Sequence, residues 1–299
     1  MAGVAGGLVS ASVWPWPAWA SPAGLVTKPI PSSGEALPVI GMGTWRTFNV
    51  GDDQMLRDAR TRVLRAFLDG GGQVIDSSPM YGSSQAVVGY GLEQLGASGR
   101  VFSAEKVWTS DGDETREDIA ASADEWRTRR FDLMQVHNLL AWQSHLPTLR
   151  AMKDAGEVRY IGITTSDGRR HGEFERIMKS EPVDFIQLTY NMIDREAENR
   201  LLPLAAERGI AVMVNRPFRG GSLVDRFQGR HPLPEWAAEI GCRNWPQFLL
   251  KFIVSHPAVT CAIPATTRVE HMREDMGAAR GPMPDAGMRR RMLDYVASL

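Results

Sequence analysis

The chain has 299 residues, 43% of them hydrophobic, enough for one large domain or two small ones with a buried core. A formal charge of −1 without a long single-sign run excludes a nucleic-acid surface and a polybasic membrane patch, and points to a small neutral partner. Two cysteines, Cys242 and Cys261, are too few for a disulfide framework and lack metal-ligand spacing, so both are expected to be core thiols.

The first residues differ from the rest. AGVAGGLVSASVWPWPAWASPAG is small, apolar and interrupted by Pro15 and Pro17, which rules out a membrane-spanning helix there. Ala18-Trp19-Ala20 is an A-x-A cleavage pattern, yet no Lys or Arg precedes Lys28 to form a basic n-region. Two readings stay open: an exported, periplasmic protein whose basic or twin-arginine segment lies upstream of the given start, or a cytoplasmic protein with a disordered extension. Residues 1–26 are therefore set apart from a domain spanning 27–299.

Short β-like runs then alternate with amphipathic stretches, and no linker is long enough to separate a pair of domains. Strands are predicted at Val39 to Met42, Gln73 to Asp76, Val101 to Lys106, Asp132 to His137, Arg159 to Thr164, Phe185 to Leu188, Ala211 to Asn215 and Thr260 to Pro264. Helices are predicted at Asp53 to Leu68, before Asp69-Gly70-Gly71-Gly72, and at Arg195 to Arg208, before Gly209, each with glycine where a C-cap needs it. Eight strands alternating with helices imply an α/β chain folded as a single-domain (β/α)8 TIM barrel.

Polar side chains cluster at strand ends. Asp76 and Tyr81 in VIDSSPMYG, Lys106 in SAEKVW and His137 in DLMQVHN each follow an apolar run, and the carboxyl ends of barrel strands are where chemistry sits. Period-two alternation puts Leu133, Gln135 and His137 on one face, expected to be the lumen. A phenol has a free pKa near ~10, and a neighbouring ammonium lowers it. Lys106 is expected to act so on Tyr81, Asp76 to hold Lys106 charged, and His137 to orient a carbonyl oxygen toward the tyrosine hydroxyl. Such a group protonates an oxyanion made by hydride attack. Taken singly, each residue has a plainer reading as packing, a loop cap or a solvated charge.

In order and spacing, GMGTW, VIDSSPMYG, AEKVW, LMQVHN, YIGITT, FIQLTYN and IPATTRVEHMRED resemble the aldo-keto reductase family from about Leu37 to Asp275. The resemblance implies reduction of a carbonyl to an alcohol with NADPH, NADH being the other possibility, and a catalytic tetrad of Asp76, Tyr81, Lys106 and His137. It further implies that Gly43, Thr44 and Trp45 line the nicotinamide and substrate side, that Gln187 holds the carboxamide, and that Thr164 and Thr165 stand where relatives carry serine and asparagine. Thr165 cannot reproduce both amide bonds of asparagine.

The same resemblance makes VNRPFRGGSL a pyrophosphate loop, with Gly220 and Gly221 allowing close backbone approach. Asn215 replaces the ring that stacks on nicotinamide in many relatives, leaving Arg216 and Phe218 as stacking candidates. Thr266, Thr267 and Arg268 at a helix start, with Glu274 and Asp275 one helical face later, are implied at the adenosine end. Ala265 stands where many relatives have lysine, so Arg268 or His271 is left to face a 2′-phosphate, and Asp275 adds negative charge near the adenine.

The pocket is expected to be open, taking varied small aldehydes or ketones. The loop after the fourth strand is short, and the longer segment from Arg216 to about Asn244, with Arg219, Phe227, Trp236 and then Trp245, is expected to shape it. Oligomeric state is not legible. Two other readings compete with this one: a nucleotide-binding regulatory barrel with little turnover, against which the intact tetrad argues, and a metal hydrolase, which would need converging ligands. His145, His171, His231, His256 and His271 fall in helical, loop or cofactor-like contexts instead.

Overall fold

The structure is a computed structural model that describes residues 24–299. Two strands, β1 (Thr27–Pro29) and β2 (Ala36–Pro38), pair antiparallel as a hairpin. Eight parallel strands follow: β3 (Met42–Gly43), β4 (Val74–Asp76), β5 (Phe102–Val107), β6 (Leu133–Val136), β7 (Tyr160–Thr164), β8 (Phe185–Thr189), β9 (Ala211–Asn215) and β10 (Cys261–Ala262). Each pairs with the next in sequence order. The ring closes through an Ile40–Ala262 bridge, the Gly41 amide donating to Ala262 O at 2.8 Å and the Gly43 amide to Pro264 O at 2.9 Å. The predicted barrel is the observed one.

Ten helices surround it among the described residues: α1 (Gln54–Asp69), α2 (Ser84–Gln94), α3 (Thr115–Trp126), α4 (Trp142–Asp154), α5 (His171–Ser180), α6 (Leu201–Arg208), α7 (Ser222–Phe227), α8 (Trp245–Val254), α9 (Val269–Gly277) and α10 (Ala286–Ala297). Strand alternation sorts the apolar side chains into two cores. Leu133, Phe102, Tyr160, Phe185, Met213 and Cys261 fill the lumen with Ile30 and Leu37 of the hairpin. Met134, Val136, Ile161 and Ile163 face the helical layer. Cys242 and Cys261 are both free and buried, as expected.

Three features depart from the sequence reading. The predicted helix from Arg195 is broken: Glu196–Glu198 make a 3-10 turn, Arg200 leaves helical geometry with φ −144°, and α6 begins only at Leu201. Pro203 explains this, because its ring excludes a helical carbonyl four residues earlier and fits only in a first turn. After α1, Gly70 keeps right-handed geometry and the left-handed residue is Gly71, φ 90°.

The hairpin is the third departure. Its tip is latched to the barrel floor by Tyr160, whose hydroxyl donates to Glu35 Oε2 and accepts from Ser33 Oγ, each at 2.7 Å, and by the Arg159–Glu35 ion pair. The described chain enters this region earlier than residue 27: Leu25 bridges Arg280, and the Val26 amide donates to Ala279 O at 2.8 Å. The Ala18-Trp19-Ala20 pattern lies outside the described residues. No helix among the described residues is long and apolar enough to cross a membrane.

Candidate active site

The four strand-end residues converge at the carboxyl end of the barrel. Asp76 is the last residue of β4, Lys106 lies near the end of β5, and His137 follows β6 directly. Tyr81 reaches the same point from a 3-10 turn, Pro79–Tyr81, whose N-cap Ser78 accepts the Met80 amide. Lys106 Nζ donates to Asp76 Oδ2 at 2.7 Å and to Ser77 O at 2.5 Å, both side chains being sealed from solvent. The ammonium stands 4.9 Å from the centroid of the Tyr81 ring, which meets the His137 ring edge-on at 5.6 Å.

The electrostatics correct one expectation. Burial outweighs Lys106, and the Tyr81 hydroxyl is pushed up to about 12 instead of down, with Asp76 and Glu105 adding to the rise. Lys106 acts in the expected direction but does not win. Burial also works against the ammonium of Lys106, yet Asp76, Tyr81 and Glu105 together raise it above its ordinary range. His137 is lowered to about 2, by burial first and the Lys106 charge second, so its imidazole is neutral wherever the protein is folded near neutral pH.

Several residues that hold this geometry were not named as site residues in the sequence reading. Ser78 Oγ is 2.7 Å from His137 Nδ1. That oxygen also accepts the Met80 amide and keeps one proton to donate to Nδ1, an arrangement that places the ring proton on Nε2. The Trp108 ring centroid is 4.9 Å from that of His137. Gln135 Nε2 donates to Asp76 Oδ1 at 3.3 Å from within the lumen. Ser78 had a legible signal, a serine immediately before a turn-opening proline. The others depend on neighbours far along the chain.

A cavity of about 320 Å³ opens over Asp76, Tyr81 and His137, a volume in the range of small-molecule sites. Gly43, Thr44, Trp45, Thr164, Gln187, Asn215, Arg216 and Phe218 also line it. Thr44 Oγ1 donates to Asp76 O at 3.0 Å and lies 2.9 Å from the Ser77 hydroxyl, while Thr164 Oγ1 accepts the Asn138 amide at 2.8 Å. Gln187 Nε2 donates to Asp76 Oδ1 at 2.8 Å, and its Oε1 accepts from Asn215 Nδ2 at 3.3 Å. Trp45 lies between two guanidinium groups, Arg46 at 4.2 Å and Arg216 at 5.6 Å, and Arg216 Nε bonds Asp167 Oδ1 at 2.7 Å.

Seven of the cofactor residues implied by the resemblance lie outside this cavity's lining, namely Thr165, Thr266, Thr267, Arg268, His271, Glu274 and Asp275. Thr165 turns its hydroxyl onto Arg169 O at 2.6 Å. Thr266, Thr267 and Arg268 do precede α9, where Thr266 Oγ1 accepts the Arg268 amide at 3.1 Å and lies 3.5 Å from His271 Nδ1. Arg268 is 62% exposed, with Glu270 4.0 Å away. Asp275 shares the buried face of α9 with Met272 and Met276, and burial, then the Glu274 charge, raises its carboxyl well above the usual range. The loop aromatics are also displaced from their expected place. Phe227 and Trp245 stack at 4.8 Å and Trp245 and Tyr295 of α10 at 6.2 Å, building the outer shell instead of the cavity wall.

The polar groups suit a nicotinamide dinucleotide. Gln187, Asn215 and Thr164 offer amide and hydroxyl groups at one end of the cavity. A β-carbon on Gly43 would come within 2.9 Å of Ile263 O, so glycine is needed where backbone passes backbone. Gly220 and Gly221, with φ of 68° and 99° and open space where a side chain would stand, let backbone come close to a diphosphate, the Gly221 amide itself donating to Phe218 O at 3.0 Å. Among the described residues no three or more His, Cys, Asp or Glu side chains are grouped to hold a metal ion.

Comparison with known proteins decides the family. Residues 39–290 match the Aldo/keto reductase family. The chain belongs to that family. Methylglyoxal reductase YeaE of Escherichia coli is 26% identical over 255 residues, covering 83% of this chain and 88% of that protein. The NADH-specific methylglyoxal reductase of the same organism is 28% identical over 232 residues, covering 65% of this chain and 68% of its own. Among solved structures, an aldo/keto reductase from Klebsiella pneumoniae in complex with NADP and acetate superposes with a TM-score of 0.73 at 25% identity, covering 88% of this chain and 92% of that one. The family assignment agrees with the (β/α)8 ring and with an oxidoreductase that acts on small carbonyl compounds.

Proposed function

We propose that this chain reduces a small aldehyde or ketone to an alcohol at the expense of NADPH, with Tyr81 as general acid. The convergence of Tyr81, Asp76 and His137 on one cavity, with Lys106 buried against Asp76 behind it, carries this reading. When bound, the reduced nicotinamide supplies a hydride. The protein's role is to place the carbonyl and to deliver the proton. His137 Nε2–H donates to the carbonyl oxygen and fixes it near the Tyr81 hydroxyl. As the C=O π bond breaks, that hydroxyl gives its proton to the developing alkoxide. The resulting phenolate lies beside the Lys106 ammonium, which Asp76 holds in place, and is reprotonated from solvent.

A hydroxyl raised to about 12 stays protonated at neutral pH, which suits the reducing direction. His137 cannot share the acid's task, because an imidazole lowered to about 2 has no second proton to give. Methylglyoxal and related 2-oxoaldehydes are the first substrates to try, since two relatives are named for that activity. For the cofactor, Arg268 beside the start of α9 supports NADPH over NADH.

The test is NADPH oxidation with methylglyoxal and a panel of short aldehydes. Tyr81→Phe is expected to lose about 10²- to 10⁴-fold in kcat while still quenching tryptophan fluorescence on adding NADPH. Equal turnover by the wild type and Tyr81→Phe would overturn the assignment.

A further inference from the structure

Glu105 is an anomaly in the helical layer. It precedes Lys106 on β5, so the lysine points into the barrel and the glutamate away from it. That places a carboxylate between sheet and helices with 0% of its surface exposed. A buried charge is costly and a neutral side chain would fill the space, so the carboxylate needs a compensating partner.

Its contacts run toward the catalytic pair. Glu105 Oε1 accepts the Lys106 backbone amide at 2.8 Å. Oε2 accepts from Trp126 Nε1 of α3 at 2.6 Å and from Gln85 Nε2 of α2 at 3.1 Å. Gln85 also donates to Ser122 Oγ of α3 at 2.8 Å. The neighbour of Gln85, Ser84, donates its hydroxyl to Tyr81 O at 2.9 Å. One carboxylate thus joins the strand that carries Lys106 to the helix turn that holds Tyr81.

We propose that Glu105 is a positioning residue for the Tyr81–Lys106 pair, bracing the two elements that carry them and placing a second negative charge behind the ammonium. The inference rests on the assignment of Tyr81 as the acid. Asp76 touches the ammonium directly, whereas Glu105 acts through the strand and the field. The groups facing it from α2 and α3 are Gln85, Ser122 and Trp126, none of which changes charge near neutral pH. The charged and titratable groups that couple to it are Lys106 and Tyr81.

Burial raises the Glu105 carboxyl to about 7, with Lys106 and the amide donors pulling it down. Its charge is therefore gained and lost near neutral pH. Once protonated, it ceases to oppose ionisation of Tyr81 and to support the cationic lysine.

The experiment compares wild type, Glu105→Gln and Trp126→Phe in three measurements. These are the pH profile of kcat/KM for aldehyde reduction, the phenolate absorbance of Tyr81 taken as the difference from matched Tyr81→Phe proteins, and thermal unfolding. The wild type is expected to show an inflection near pH 7 that Glu105→Gln lacks. In Glu105→Gln the Tyr81 titration moves to lower pH, and kcat falls while NADPH binding is unchanged. Trp126→Phe keeps the carboxylate but loses a donor, so it moves the inflection upward. This variant carries the test if Glu105→Gln does not fold.

A uniform loss of stability and rate, with the inflection and the Tyr81 titration unmoved, overturns the proposal. Wild-type protein without carbonyl reduction refutes the functional reading instead. The phenolate titration still decides the role of Glu105 in that case.

Discussion

The Lys106 ammonium lies 2.7 Å from Asp76 Oδ2, and the two side chains are 0% and 2% exposed. Removing one partner from such a pair leaves a buried charge alone, at a cost of ~3–5 kcal/mol. Asp76→Ala is therefore expected to lower the free energy of unfolding in urea by about that amount. Asp76→Ala combined with Lys106→Met recovers much of the stability and none of the activity. Stability that stays lost in the double variant would show that the charge itself is not the cause.

Ser78 makes two bonds that serve different residues, one capping the Tyr81 turn and one holding His137 Nδ1. Ser78→Ala loses both, and kcat for aldehyde reduction is expected to drop about tenfold, a typical consequence of a misplaced reactant. Ser78→Thr keeps the hydroxyl and restores most of the rate. If Ala and Thr are equally active, the hydroxyl does not position the ring.

His256 gives a stability test remote from the cavity. Burial, then the Arg289 charge, lowers it to about 4 from 6.5, with Glu198 opposing and Lys28 assisting. Between those values the unfolded chain takes up a proton that the folded one refuses. The stability from this residue is complete above about pH 6.5 and shrinks as pH falls toward 4. His256→Gln should flatten the wild-type decline in unfolding free energy by up to about one proton over that interval. Parallel curves for the two proteins, measured by urea titration at several pH values, would contradict this.

Arg268 offers a test of cofactor preference. Its guanidinium is 62% exposed and only loosely paired with Glu270. A charge-assisted contact to a 2′-phosphate is worth roughly 1.5–3 kcal/mol, so Arg268→Ala should weaken NADPH binding about tenfold or more and leave NADH binding as it was. Fluorescence titration with both nucleotides reads the difference, and an equal effect on both would remove Arg268 from the 2′-phosphate.

Much of the ring was legible because each strand has its own local signal. All eight predicted strands overlap observed ones, with end shifts of a few residues at β3 and β10 where pairing is short. The hairpin was missed even though Pro31-Ser32-Ser33-Gly34 is a turn signal. Its strands are three residues long, and they are held by Tyr160 and Arg159 from far along the chain. The break before α6 was available in principle from Pro203.

At the candidate site, residue identity and order along the chain were enough to single out Asp76, Tyr81, Lys106 and His137, which the structure brings together, since a phenol, an ammonium and an imidazole are chemically distinctive. What the sequence could not supply was the balance of energies among them. The direction of the Tyr81 shift depends on how deeply the ring is buried against how near Lys106 comes, and burial wins. The same holds for Asp275, read as a charge near the adenine and found on the buried face of α9. It holds for Phe227, which stacks on Trp245, and for Trp245, which stacks on Tyr295 of α10, neither of them lining the cavity. The sequence by itself determined the barrel, its strand order and the chemical groups at the strand ends, because these follow from local periodicity and residue type. Only the tertiary structure decided which groups are desolvated and which stand within hydrogen-bonding reach, because both depend on contacts between segments many residues apart.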